Sequence, residues 1–133
     1  HIRTPWYEYA DLHDLFGGEN SLIVLCDGIE DVHNLGSILR VSECAGADGV
    51  VIPSAKGASV TEAVIRISAG AAEHIRVAKV PSVNSGVRRL TREKCDGVLS
   101  IPLFGKVNSL NAAVALGIGV YEVVRAREQR KNG

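Results

Sequence analysis

Asn34 and Arg40 are the first residues in this chain whose types and spacing could do chemistry. They belong to the stretch Leu22 to Arg40, where an apolar run delivers a turn and then a helix start carrying Asp31, His33, Asn34 and Arg40. The run reads as a buried parallel strand, and Asp27-Gly28 breaks it. In open α/β sheets the ligand crevice lies outside the carboxyl ends of the strands, so this order puts Asn34 and Arg40 near a site. Taken alone, the same residues amount to an Asn N-cap, a tolerated glycine and a surface arginine. A second stretch shifts the balance. Ile101 to Asn111 repeats the design of strand, loop and helix, with Asn108, Ser109 and Asn111 gathered at the helix start. Free amides and side-chain oxygens there can bind a ligand, and three such residues in four positions exceed what a cap requires.

Several other chemistries are excluded. There is no GxGxxG after a strand and no GxxxxGK[ST], so both common phosphate cradles for nucleotides are missing. His13, His33 and His74 have no ligand-like spacing with each other or with Cys26, Cys44 and Cys95, so no metal is expected. Ser68 and Ser109 lack the context of a nucleophile elbow. The 15 basic and 15 acidic side chains balance, so overall charge selects no partner. Their distribution is uneven: Arg88, Arg89, Arg92 and Lys94 cluster before a strand, where Arg88 and Arg89 are candidate contacts for phosphates or part of a solvated helix face. Arg125, Arg127, Arg130 and Lys131 form a second cluster, which reads as a solvated helix end.

A sequence of 133 residues with 46% hydrophobic content supports one α/β domain. Strands are predicted at Leu22 to Asp27, Gly49 to Pro53, Ile75 to Val80 and Gly97 to Ile101. Helices are predicted at Asn34 to Ala45, Ser59 to Ala69 and Leu110 to Arg127, with a short one at Asp11 to Phe16. Alternation of this kind predicts a parallel sheet with right-handed crossovers. In the first long helix Leu35, Ile38, Leu39, Ser42 and Ala45 form the core face, leaving Gly36, Arg40 and Glu43 elsewhere. Ser59 and Glu62 have capping-box spacing. The last helix is apolar almost all round from Ala112 to Val124, which predicts a homodimer through it. Three cysteines without a pairing pattern point to a reducing cytoplasm, and no run is long enough for a membrane span.

Asp27-Gly28, Asp31, His33-Asn34-Leu35-Gly36 and Arg40, then Ser68-Ala69-Gly70-Ala71, then Ile101-Pro102, Gly105 and Ser109-Leu110-Asn111 closely resemble the SpoU (TrmH-type) branch of the SPOUT RNA methyltransferases. The resemblance covers about Leu22 to Arg127. It implies a parallel α/β domain with a C-terminal trefoil knot, working as a homodimer. The implied reaction carries methyl from S-adenosylmethionine to a ribose 2'-hydroxyl of rRNA or tRNA. By the same resemblance Arg40 is catalytic, Asn34 assists it, and Ser109 and Asn111 belong to the third family motif beside the methyl group. Ile101, Leu103 and Leu110 match positions lining the cofactor pocket, and Gly86 stands in the tail of the cofactor loop. A guanidinium is a poor base, with a pKa above about 12, so positioning and electrostatic help are the role expected of Arg40. Methyl displacement needs the acceptor oxygen held in line and no metal.

The sequence departs from that family at one place. The second motif, GxExxG, is absent as a whole: only Pro81-Ser82-Val83-Asn84-Ser85-Gly86-Val87 stands where the family has a helix, two strands and the cofactor loop. A missing segment is therefore expected between residues 80 and 88, through an omitted stretch, an engineered deletion or natural loss. An omitted stretch predicts consecutive Cα atoms between Val80 and Gly86 much farther apart than about 3.8 Å. Residues 1–20 read as a lead or linker remnant and residues 21–133 as the methyltransferase domain. The alternative to an enzyme is a non-catalytic RNA-binding or dimerisation module that keeps the fold without the cofactor pocket.

Overall fold

The computed structural model describes residues 7–15, 21–27, 32–54, 59–92, 97–102 and 109–132. Four strands, β1 (Leu22–Asp27), β2 (Gly49–Pro53), β3 (Arg76–Val80) and β4 (Gly97–Pro102), form one parallel sheet in the order β3-β2-β1-β4. The helices are α1 (Val32–Cys44), α2 (Glu62–Ile67), α3 (Val83–Arg92) and α4 (Ser109–Asn132). Strands β1 to β3 step outward in one direction, and the chain then returns to lay β4 on the other side of β1. The order thus reverses between β1 and β4. That switch point is where an open parallel sheet leaves a crevice at its carboxyl edge.

Alternation along the strands sends side chains to two apolar layers. Val24, Cys26, Val50, Ile52 and Val77 face one side and pack with Leu35, Ile38 and Leu39 of α1, Val64 of α2 and Leu116 of α4. Ile23, Leu25, Val51, Ala78 and Val80 face the other, where Leu12 and Leu15 of a 3-10 turn join them. Helix α3 packs on β1, β2 and β3. Right-handed crossovers require this division, because the return from β3 to β4 runs opposite to the two earlier steps.

Residues 7–15 do more than lead into the domain. The Ala10 amide donates to the Val77 carbonyl at 2.8 Å, and the Tyr7 hydroxyl donates to the Ile75 carbonyl at 3.3 Å, so the segment runs along β3, the last strand on its side of the sheet. The Tyr9 hydroxyl accepts from the Val60 amide at 2.9 Å, and the Lys79 ammonium lies 4.5 Å from the Tyr9 ring centroid. An open strand edge is a template for unwanted pairing, and this strap covers it. Burial, with the neighbouring Tyr9 hydroxyl adding to it, pushes the Tyr7 phenol up to about 12.

Three features of α2 and α3 differ from the sequence reading. Helix α2 begins at Glu62 with Thr61 as its N-cap, whose hydroxyl accepts from the Val64 amide at 3.3 Å. Ser59 caps nothing in α2; its hydroxyl accepts from Lys79 Nζ at 3.0 Å. The same helix stops at Ile67, since Ala69 (φ 56°) and Gly70 (φ 87°) turn left-handed and end it. The third difference is α3, a continuous helix through the position where a chain break was expected. The Gly86 amide donates to the Ser82 carbonyl at 3.0 Å, so the backbone there is hydrogen-bonded and unbroken. Among the described residues no helix is long and apolar enough to cross a membrane.

Candidate functional site

Two strand ends and two helix starts meet at the switch point. In the β1–β4 ladder Cys26 pairs with Ile101 and Asp27 with Pro102, which brings the carboxyl ends of these strands side by side. Helix α1 leaves from the first and α4 from the second, and the two pack against each other. The elements carrying Asn34, Arg40, Ser109 and Asn111 are thereby neighbours, although far apart in sequence. Leu103 and Asn108 lie outside the described residues, as do Gly28 and Asp31. For Ile101, Ser109, Leu110 and Asn111 the backbone placement is described, in β4 and the first turn of α4.

Asn34 and Arg40 share α1 but not a face. Asn34 is buried at 2% exposure in the first turn, nearest the strand ends, and Arg40 is exposed. Six residues of α-helix separate them by about 9 Å along the axis and roughly a third of a turn around it. Arg40 is therefore a solvent-facing cation further along α1, while Asn34 is packed at the end of the helix nearest the strand ends. Leu35, Ile38, Leu39 and Ser42 occupy the core face, as their spacing predicts, but Ala45 is exposed.

Gly36 is a correction. The helical pattern set it on a face away from the core, yet it is buried against α2, where a Cβ would stand 2.5 Å from Ile67 Cγ2 and 2.8 Å from Ile67 Cβ. Only hydrogen fits there. The close approach of α1 to α2 is what this glycine serves, and its presence inside a helix that would otherwise favour alanine is the sequence signal.

Gly86, expected in a cofactor loop, is instead a packing residue of α3. It is buried, its amide is engaged by Ser82, and a Cβ would lie 3.3 Å from Val80 Cγ2 and 3.5 Å from Leu25 Cδ1. An amide already donating within a helix turn cannot also present itself to a ligand. At this position the residues do not fit a bound S-adenosylmethionine. Arg88 and Arg89 are exposed on α3. Because α3 lies on the opposite side of the sheet from α1, these arginines and Arg40 do not form one patch.

Leu116 is likewise not where the dimer expectation needs it. It is fully buried in the chain's own core beside Leu35, Ile38 and Leu39, whereas Val114, Ile118 and Tyr121 of α4 are exposed at 51%, 61% and 65%. Those three follow i, i+4, i+7 spacing, a single stripe on the outer side of the helix. Among the described residues no group of three His, Cys, Asp or Glu side chains could hold a metal ion.

The sequence profile of the SpoU rRNA Methylase family matches residues 21–85 and, separately, 84–121. The chain belongs to the SpoU rRNA Methylase family. Among curated relatives, a TrmH family tRNA/rRNA methyltransferase of Staphylococcus haemolyticus is 33% identical, with 92% of this chain and 68% of that protein covered. YacO of Bacillus subtilis, also described as a TrmH family tRNA/rRNA methyltransferase, is 35% identical, with 91% of this chain and 67% of that protein covered. The fold is shared with the SpoU methyltransferase AviRb of Streptomyces viridochromogenes in complex with AdoMet, at TM-score 0.68 and 24% identity over 95% of this chain and 67% of that one. It is shared too with an rRNA methyltransferase of Sinorhizobium meliloti, at TM-score 0.70 and 20% identity over 90% of this chain and 61% of that one. The SpoU family match breaks inside α3. The alignment with the Staphylococcus relative runs over 169 positions, longer than the 133 residues of this SpoU chain, so a stretch of the relative has no counterpart here.

Proposed function

We propose that this SpoU family chain serves ribose 2'-O-methylation of tRNA or rRNA, the methyl donor of that reaction being S-adenosylmethionine. The exposed placement of Arg40 on α1, the helix that leaves from the β1 end of the switch point, carries this reading. Its planar guanidinium can hold a phosphate and a ribose oxygen at once, fixing the 2'-hydroxyl while remaining charged. Asn34 supports the helix turn behind it. Ser109 and Asn111, at the start of α4 beside the neighbouring strand end, enter the same proposal as polar residue types suited to that ribose. Arg88 and Arg89 extend RNA contact to a separate surface, through phosphates and without sequence choice.

A homodimer through α4 belongs to the same proposal, formed by the stripe of Val114, Ile118 and Tyr121, as does action in the cytoplasm. So does the C-terminal trefoil knot, which rests on the family resemblance. A second reading is favoured by the engagement of Gly86 within α3: a non-catalytic RNA-binding or dimerisation module that keeps Arg40 and loses the donor side.

Binding of labelled tRNA and rRNA fragments by wild type and Arg40→Ala tests the RNA reading. Loss of one charge-assisted phosphate contact should weaken affinity about tenfold and flatten its salt dependence by about one unit. Arg40→Lys should recover the salt dependence but not the affinity. Equal affinity of all three proteins for RNA contradicts the role of Arg40. Where methyl transfer is detected, a product methylated on a base and not on ribose contradicts the 2'-hydroxyl assignment.

A further inference from the structure

We infer that α3 is a closed join standing in place of the segment where, by the family resemblance, the cofactor loop lies, so that this chain alone does not bind S-adenosylmethionine as the AdoMet-bound AviRb does. The inference rests on the family reading above and concerns the donor side of the same site.

Sequence and structural observations meet at one helix. The family profile ends its first match at residue 85 and begins its second at residue 84, both within α3. The alignment to a relative is longer than this chain, so the relative holds residues with no counterpart here, in keeping with that break. Between them α3 runs without interruption, with Ser82 at its head: the Ser82 hydroxyl accepts from the Ser85 amide at 3.1 Å and the Ser82 carbonyl accepts from the Gly86 amide at 3.0 Å. Finally, Gly86 presses its Cα side onto Val80 and Leu25, the apolar layer that the sheet must cover.

Physical consistency favours a real element over a scar. The exposed positions of α3 include Asn84, Arg88 and Arg89, and Gly86 is buried toward the sheet, so the helix is amphipathic in the sense required. The first serine caps it. Val87 is the one exposed large apolar side chain that α3 shows among its described residues. A loop able to cradle a ligand needs amides pointing outward, whereas here the helix turns them inward onto its own carbonyls.

The test is titration calorimetry of S-adenosylmethionine into this chain and, in the same buffer, into AviRb. The inference expects affinity weaker than AviRb by about 100-fold or more, equivalent to losing two or so hydrogen bonds to the cofactor. Binding within tenfold of AviRb overturns it. A second protein carries the AviRb residues that align with the gap, inserted between Asn84 and Ser85. If that protein folds cooperatively and binds the cofactor, the join is the cause of the loss; if it folds and still does not bind, the inference is overturned. Should the insertion variant fail to fold, the wild-type titration still decides. RNA binding measured on the same wild-type preparation separates the two proposals. RNA bound without cofactor supports this inference and the RNA-binding module of the second reading against methyl transfer by this chain alone, and no binding of either ligand sinks the RNA reading while this one stands.

Discussion

The two faces of the sheet are built to different standards. On one, α1, α2 and α4 lie over Val24, Cys26, Val50, Ile52 and Val77, with Leu35, Ile38, Leu39 and Leu116 fully buried between them. On the other, a 3-10 turn and the ten-residue α3 cover Ile23, Leu25, Val51, Ala78 and Val80. The first face carries α1 and α4, the helices with the residues proposed to meet RNA, and sequence spacing anticipates most of its packing. The second holds the place where this chain is shorter than its relatives, and a glycine contact closes it. Helices that cover a face fix stability, and the crevice at the strand ends can lose its donor side while they persist.

Truncating the well-covered face should have the largest effect. Leu116→Ala removes a fully buried side chain from the layer between α1 and the sheet and should cost about 2–5 kcal/mol, read as a shift in the urea unfolding midpoint. Leu116→Glu should not yield folded protein at all, because a buried unpaired carboxylate costs several kcal/mol more. A folded, monomeric Leu116→Glu protein would mean that Leu116 lies at an interface and that the first face is not built as described.

The second face should respond to overpacking. Gly86→Leu places a branched side chain against Val80 and Leu25, where even a Cβ is tight, and should cost about 1–3 kcal/mol by the same unfolding measurement. Unchanged stability would show α3 standing off the sheet, and the contrast between the faces would then be greater than the contacts indicate.

The outer side of α4 belongs to neither layer and should give the smallest effect on folding. Ile118→Glu should change unfolding free energy by no more than about 0.5 kcal/mol while shifting sedimentation from dimer to monomer. A dimer unaffected by this change moves the subunit contact away from α4.

How much of this was legible in sequence follows the same division. All four strands, α1, α4 and the strap's 3-10 turn stand close to where periodicity and turn residues place them, because apolar runs and helical spacing report local burial directly. Gly36 was set on the wrong face, since a glycine gives no hydropathy signal and its reason lies in Ile67, a residue of another helix. The dimer expectation for the last helix could not say which side faces a partner, because a helix apolar on many sides does not show which side the chain itself covers, and Leu116 lies on the covered one. α3 was hidden for a different reason. Its two halves each resemble a different family element, and only the packed helix makes them one amphipathic unit. Of the candidate site, the residues singled out by type and order fall on neighbouring elements, α1 and α4, while the separation of Asn34 from Arg40 around the helix axis is already implied by their spacing of six.

Amide hydrogen exchange at Gly86, followed by NMR with and without S-adenosylmethionine, tests most directly whether α3 is a packed helix that has replaced a cofactor loop. The amide of the buried Gly86 donates to Ser82, so slow exchange is expected, together with an unchanged resonance and rate when the cofactor is added. Rapid exchange in the free protein, or a shifted and newly protected Gly86 amide on adding S-adenosylmethionine, would contradict it.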